Sequence, residues 1–200
     1  VDMLVTAHDQ ESIPLQFRES WAKETFREDD KVNVFGYLYS PEELNESSES
    51  DLKSSHEWAD YLLKVHEGMK EVDVIIGSER YVQYMADYLG IDHIVYDEKR
   101  ENMKISATQI KGDVIRYWDY LVPAVKRHYV HHICICGSES TGKSTTCKRI
   151  AEQYGYVTMI PEIGRCLVGK SELCSIEVLQ KIYDIHYRLL KAVHEDPPTP

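Results

Sequence analysis

Along the chain, the spacing of apolar positions separates strands from helices. The stretch "KVNVFGYLY" (31–39) alternates and is rich in Val, Tyr and Phe, which predicts a strand. After it, "SPEELNESSESDLKSS" is acidic, serine-rich and aperiodic, and reads as a surface loop. From His56, "EWADYLLKV" spaces Trp58, Tyr61, Leu62 and Val65 along one helical face. "VDVIIGS" is a short apolar run ended by Gly77 and predicts a buried parallel strand. "ERYVQYMADYLG" is an amphipathic helix closed by Gly90, and "HIVYD" is the next strand. Strand, helix, strand with short connections is the grammar of an open parallel sheet.

The long stretch "ISATQIKGDVIRYWDYLVPAVKRHY" reads as helical, with a break near Pro123. "HHICICG" then restarts the grammar: a strand "ICIC", a glycine-rich turn and the helix "TTCKRIAEQYG". A strand "YVTMI" and an amphipathic helix over Ile176 to Val193 follow, before the proline-rich tail "HEDPPTP". These patterns predict an α/β chain with two domains, 1–128 and 129–200.

Composition narrows the function classes. The 200 residues are 42% hydrophobic and 28% charged, ordinary for a globular chain with a buried core. A net charge of −11 argues against nucleic-acid binding by bulk electrostatics, though not against binding one nucleotide. Five cysteines, Cys134, Cys136, Cys147, Cys166 and Cys174, form no C-x-x-C pair and imply reduced thiols and a cytoplasmic setting. No apolar run is long enough for a membrane span, and the first residues do not form a signal peptide. The start at Val1 reads as the start of an excerpt.

The sharpest chemical signal is Gly137-Ser138-Glu139-Ser140-Thr141-Gly142-Lys143-Ser144, which fits G-x-x-x-x-G-K-[ST] at every specified position. Glycines let the backbone wrap phosphates, successive amides form an anion nest, and the next helix adds its positive N-terminus. Lys143, the catalytic candidate, would reach the β- and γ-phosphates, the Ser144 hydroxyl would sit on Mg²⁺, and Thr145 extends the cradle. Further on, "PEIGR" sets Glu162 and Arg165 three apart, spaced to hold a sugar hydroxyl and an anionic group, or to form a solvated turn. Upstream, "KISATQIK" offers Ser106, Thr108 and Lys111 at a helix start, where Ser106 and Gln109 also satisfy a capping box.

From about Phe17 to His194, the words "FRESW", "EW" at Trp58, "YMADYLGI", "YDEKR", "ISATQIK", "RYWDYLVPAVKRHYV", "GSESTGKST" and "EIGR" occur in one order. In that order the chain resembles the bifunctional NadR-type proteins, which join a nicotinamide mononucleotide adenylyltransferase domain to a ribosylnicotinamide kinase domain. The resemblance implies a Rossmann-like nucleotidyltransferase sheet followed by a P-loop kinase sheet. It places Ser106, Thr108 and Lys111 on the I-S-x-T-x-x-R phosphate motif, with lysine where the family has arginine. That change keeps the charge and loses the planar fork. Trp58 falls beside the nicotinamide pocket, where it would stack on a pyridinium ring or serve as a core aromatic. Glu162 and Arg165 match an E-x-x-R near the kinase acceptor.

Two family parts are absent from these residues. The transferases open with G-x-F-x-P-x-H-x-G-H, whereas the first histidine here is His8 in "TAHDQ". The kinase half stops before an acidic strand end and a basic lid. The resemblance therefore implies a parent enzyme of NAD synthesis using ATP, Mg²⁺, nicotinamide mononucleotide (NMN) and ribosylnicotinamide, and a chain with both sheets incomplete. Such a chain would bind nucleotide with little turnover, and its open sheet edges would favour homo-oligomers. Two alternatives stand beside this reading: a P-loop kinase of another nucleoside on a degenerate transferase scaffold, and a non-catalytic NAD- or ATP-sensing regulator.

Overall fold

A computed structural model describes residues 1–42, 44, 51–168 and 175–199. Residues 43 and 45–50 of the predicted surface loop, and Cys174, lie outside the described residues. The chain forms two compact units, Val1–Gly112 and Asp113–Pro200.

The first unit is built from two strand–helix–strand crossovers. Strand β1 (Asp2–His8) leads through α1 (Leu15–Thr25) to β2 (Asn33–Tyr39), and the two strands pair in parallel from Asp2 opposite Asn33 to His8 opposite Tyr39. The second crossover runs from β3 (Val74–Gly77) through α3 (Tyr81–Leu89) to β4 (Asp92–Val95), again in parallel. Between them lie α2 (Leu52–Val65) and a 3-10 turn, Glu67–Glu71. Parallel pairing needs such crossovers, because a tight turn can join only antiparallel strands. The core cluster is Ala59, Leu62, Met69 and Met85, with Leu4, Trp58 and Ile75 packed against it.

Local chemistry explains the element ends. Helix α2 begins earlier than the apolar pattern indicates, because Asp51 accepts bonds from the Ser54 amide and hydroxyl, both at 2.8 Å. Residues 52–55, expected as loop, are thus helical. Gly90 ends α3 in the left-handed region, φ 70°, with its amide bonded to the Ala86 carbonyl. The first strand and helix escaped the periodicity reading. Strand β3 is parallel as expected but not buried: Ile76 is 59% exposed. The strands form two separate two-stranded ladders rather than one sheet.

The second unit holds a 3-10 turn (Trp118–Tyr120), α5 (Pro123–Tyr129), α6 (Lys143–Tyr154), α7 (Ile163–Leu167) and α8 (Ile176–Glu195). The stretch 105–129, expected to be helical with a break near Pro123, is divided into α4 (Ala107–Gly112), the 3-10 turn and α5, with Pro123 at the start of α5. The expected strands "ICIC" and "YVTMI" are absent, and no strand occurs among the described residues of this unit. A strand's amides and carbonyls need neighbours to pair with, and none is adjacent; Ile133 is 76% exposed instead. The α/β class therefore holds for the parallel ladders of the first unit, while no strand of the expected kinase sheet occurs among the described residues.

The units part at Gly112, ahead of the boundary read at 128/129, because the turn and α5 dock on the C-terminal tail. The buried Trp118 indole donates to the Pro197 carbonyl at 3.0 Å, and Arg127 donates to the Glu195 carbonyl at 2.6 Å. Among the described residues no helix is long and apolar enough to cross a membrane.

Candidate functional site

The phosphate loop is shaped by its backbone. Ser140 and Gly142 take positive φ, 60° and 86°, and Thr141 between them does not, an alternation in the manner of an anion nest. At Gly137, φ 156°, a Cβ would come within 3.2 Å of the Thr141 hydroxyl, so a larger residue would strain the backbone and push that side chain aside. Thr141 Oγ1 and Lys143 Nζ both donate to the Ser138 carbonyl, at 2.8 and 2.7 Å. These bonds hold the loop at the first turn of α6, whose N-cap is Gly142 and whose first amides have no side-chain cap. The turn thus gathers Gly137, Ser138, Thr141, Gly142 and Lys143, and leaves Glu139, Ser140, Ser144 and Thr145 exposed to a ligand.

A glycine-bearing turn, a helix N-terminus and one ammonium are the parts from which a phosphate site is built. Ser144 offers Mg²⁺ one hard oxygen. No cluster of three or more His, Cys, Asp or Glu able to hold a metal occurs among the described residues. Ahead of the loop, Cys134 and Cys136 stand 3.4 Å apart as free thiols, and their shared hydrogen bond holds the Cys134 thiol above its ordinary range.

In the first unit, the capping box is closed in both directions. The Gln109 amide donates to Ser106 Oγ at 3.1 Å and the Ser106 amide donates to Gln109 Oε1 at 2.8 Å. Thr108 is exposed on α4, and Lys111 lies 3.9 Å from Glu11, which also pairs with Arg18. Sequence reading missed the residues that hold this helix start in place. Asp97, at φ 56°, accepts from the amides of Glu101, Asn102 and Met103 at 2.8 to 3.0 Å. Those bonds, the one from Asn102 foremost, keep its carboxyl below the usual range. Arg100 donates to the Ile105 carbonyl at 2.9 Å. An aspartate opening the turn "YDEKR" is the signal that could have disclosed this role.

Trp58 is half-buried and packs edge-on against Tyr39 at 4.8 Å and Tyr61 at 5.8 Å, in the manner of a core aromatic. Glu162 and Arg165 are brought together, but with each other: their ion pair spans 3.3 Å across the start of α7, and both are more than half exposed.

Comparison with known proteins adds the family context. A family described as "AAA domain" matches residues 132–195, the stretch that carries the loop and α8. The "Trifunctional NAD biosynthesis/regulator protein NadR" of Escherichia coli (strain K12) is 40% identical over 95 residues, covering 46% of this chain and 23% of the relative. Its counterpart in Salmonella typhimurium (strain LT2) is 39% identical over 83 residues, 42% of this chain and 20% of the relative. The chain is related to the NadR proteins.

Two solved NadR structures share its fold. One is described as NadR protein in complex with NR, with a TM-score of 0.57 at 20% identity, covering 98% of this chain and 56% of that one. The other, described as in complex with NAD and AMP-PNP, gives 0.57 at 20% identity and covers 99% and 59%. The matched stretch spans about a fifth to a quarter of the curated NadR relatives. NadR relatives thus tie the P-loop domain to proteins of NAD biosynthesis and regulation.

Proposed function

We propose that the chain is part of a two-step enzyme of NAD synthesis. Its C-terminal part, from residue 129, phosphorylates ribosylnicotinamide with ATP to give NMN. Its N-terminal part, residues 1–128, takes part in joining NMN to the adenylyl group of ATP, releasing pyrophosphate. In the kinase step, the loop amides and Lys143 hold the β- and γ-phosphates and draw off the charge that builds on them. Ser144 would hold Mg²⁺, which would supply neutralising charge to the phosphates. Glu162 accepts from the acceptor's sugar hydroxyl, and Arg165 is then released from its ion pair to meet an anionic group. In the transferase step, Ser106, Thr108 and Lys111 hold ATP phosphates at the start of α4, and Trp58 offers its π-face to the pyridinium ring.

The observation that carries this reading is the loop from Gly137 to Ser144 closed over the N-terminus of α6. Adenylyl transfer needs cations and donors around the α-phosphate that these 200 residues do not assemble, so the isolated chain binds nucleotide with little turnover. Calorimetric titration with Mg-ATP tests the loop directly. Lys143→Ala should weaken binding by about 10- to 100-fold, the loss expected of a charge-assisted bond worth ~1.5–3 kcal/mol. Unchanged affinity would remove the P-loop assignment. The word "regulator" in the relatives' names keeps a binding-only role in view; phosphate transfer to ribosylnicotinamide by the full-length protein would dismiss it.

A further inference from the structure

Two thiols stand at the entrance of the phosphate loop, outside the residues assigned to nucleotide. Cys134 and Cys136 lie two residues apart on a segment that belongs to no helix or strand. Their sulfurs are 3.4 Å apart, both residues are exposed, and both thiols are free. Bonded sulfurs lie about 2.0 Å apart, so a modest closure joins the pair. In extended backbone the α-carbons of residues i and i+2 are about 6.6 Å apart, whereas a disulfide prefers roughly 5.5–6 Å. Joining the sulfurs therefore shortens the segment by up to about 1 Å. Cys136 directly precedes Gly137, and the next residue is Ser138, whose carbonyl accepts from Thr141 and Lys143 at 2.8 and 2.7 Å. A pull on Cys136 thus reaches the two bonds that hold the loop.

We propose that Cys134 and Cys136 form a reversible intrachain disulfide, a thiol-oxidation site whose closure loosens the adjoining phosphate loop. The oxidant is a low-molecular-weight disulfide of the glutathione kind. The Cys136 thiolate attacks one of its sulfurs and releases the first small thiol. Cys134 then gives up its proton and attacks the Cys136 sulfur of the mixed disulfide, which releases the second small thiol. Two protein thiols are oxidised, losing two electrons in all, while one small disulfide is reduced to two thiols. Cys134 acts second because the hydrogen bond it shares with Cys136 keeps its thiol protonated above the ordinary range. Exposed disulfides belong to the labile, regulatory class, the kind that forms in reducing surroundings. The effect on nucleotide rests on the P-loop reading; the thiol site rests on the two sulfurs alone.

Graded ratios of oxidised to reduced glutathione, applied to the 200-residue chain, test both parts. Remaining thiols are alkylated, and digestion followed by mass spectrometry maps the links. The peptide carrying Cys134 and Cys136 should lose its thiol hydrogens and take up no alkylating agent, and dithiothreitol should reverse this. Amide exchange from Gly137 to Lys143 should quicken by about tenfold on oxidation, the factor expected for one lost loop hydrogen bond. Mg-ATP affinity should fall by a similar factor, and Cys134→Ser should abolish both changes. The proposal fails if both cysteines stay open to alkylation at the most oxidising ratio, or are linked to glutathione or another chain instead. It fails equally if the internal link forms without a change in loop exchange, or if Cys134→Ser leaves that change in place. A reduced chain that binds no Mg-ATP sinks the kinase reading, while the mapped link and the loop exchange still decide the thiol site.

Discussion

Asp97 shows how one side chain can organise a loop that carries candidate chemistry. Its carboxylate gathers three amides ahead of Ser106, and the bonded, ionised form is what the loop needs. A carboxyl held below its ordinary value of 3.8 contributes stability that is complete above that pH and is lost as pH falls through the lower folded value. Asp97→Asn should therefore unfold more readily than the parent near neutral pH, and the gap should close below about pH 3.8. Urea melts of both proteins across that range measure it; a gap that widened in acid would mean that Asp97 is not the ionised acceptor. The left-handed backbone at this position is one that aspartate tolerates better than most residues.

Among the elements, α4 is short and its start is stapled by reciprocal bonds between Ser106 and Gln109. Replacing either residue by alanine breaks part of one unit, so the two changes should not add. A double-mutant cycle of Ser106→Ala and Gln109→Ala should show a coupling of about 0.5–1 kcal/mol in thermal or chemical melts. Strict additivity would mean the box is not formed in solution. This motif was legible from four residues because a capping box is local: donor and acceptor are fixed by helix geometry alone. The strand "ICIC" was not legible in the same way. Alternating apolar residues state a preference for extended backbone, but a strand also needs neighbours for its amides, and those lie far along the chain.

At the scale of the molecule, the candidate nucleotide sites fall in different compact units, Lys111 in the first and Lys143 in the second. Lys111→Ala removes a half-exposed ammonium from a 3.9 Å pair with Glu11. Exposed pairs of this kind are worth at most about 1 kcal/mol. The variant should therefore fold normally and bind Mg-ATP at the P-loop with the parent's affinity in calorimetric titration. A several-fold change there would show that the two sites are not separate. The division into units also differs from the pattern-based boundary for a physical reason: Trp118 and Arg127 spend their donors on the C-terminal tail, a partnership across distant sequence that no local period announces.

Features that depend on neighbours a few residues away could be read along the chain: the helices α2, α3, α6 and α8, the glycine that ends α3, the box at Ser106, and the turn that carries Lys143. Each of these is set by backbone geometry and side chains within one or two turns. Contacts between remote segments settled the rest: which predicted strands find partners, that Glu162 and Arg165 pair with each other, that Trp58 packs into an aromatic cluster, and that β1 and β3 line one cleft. Those outcomes turn on hydrogen bonds and contacts between remote segments, whose closure depends on the whole chain.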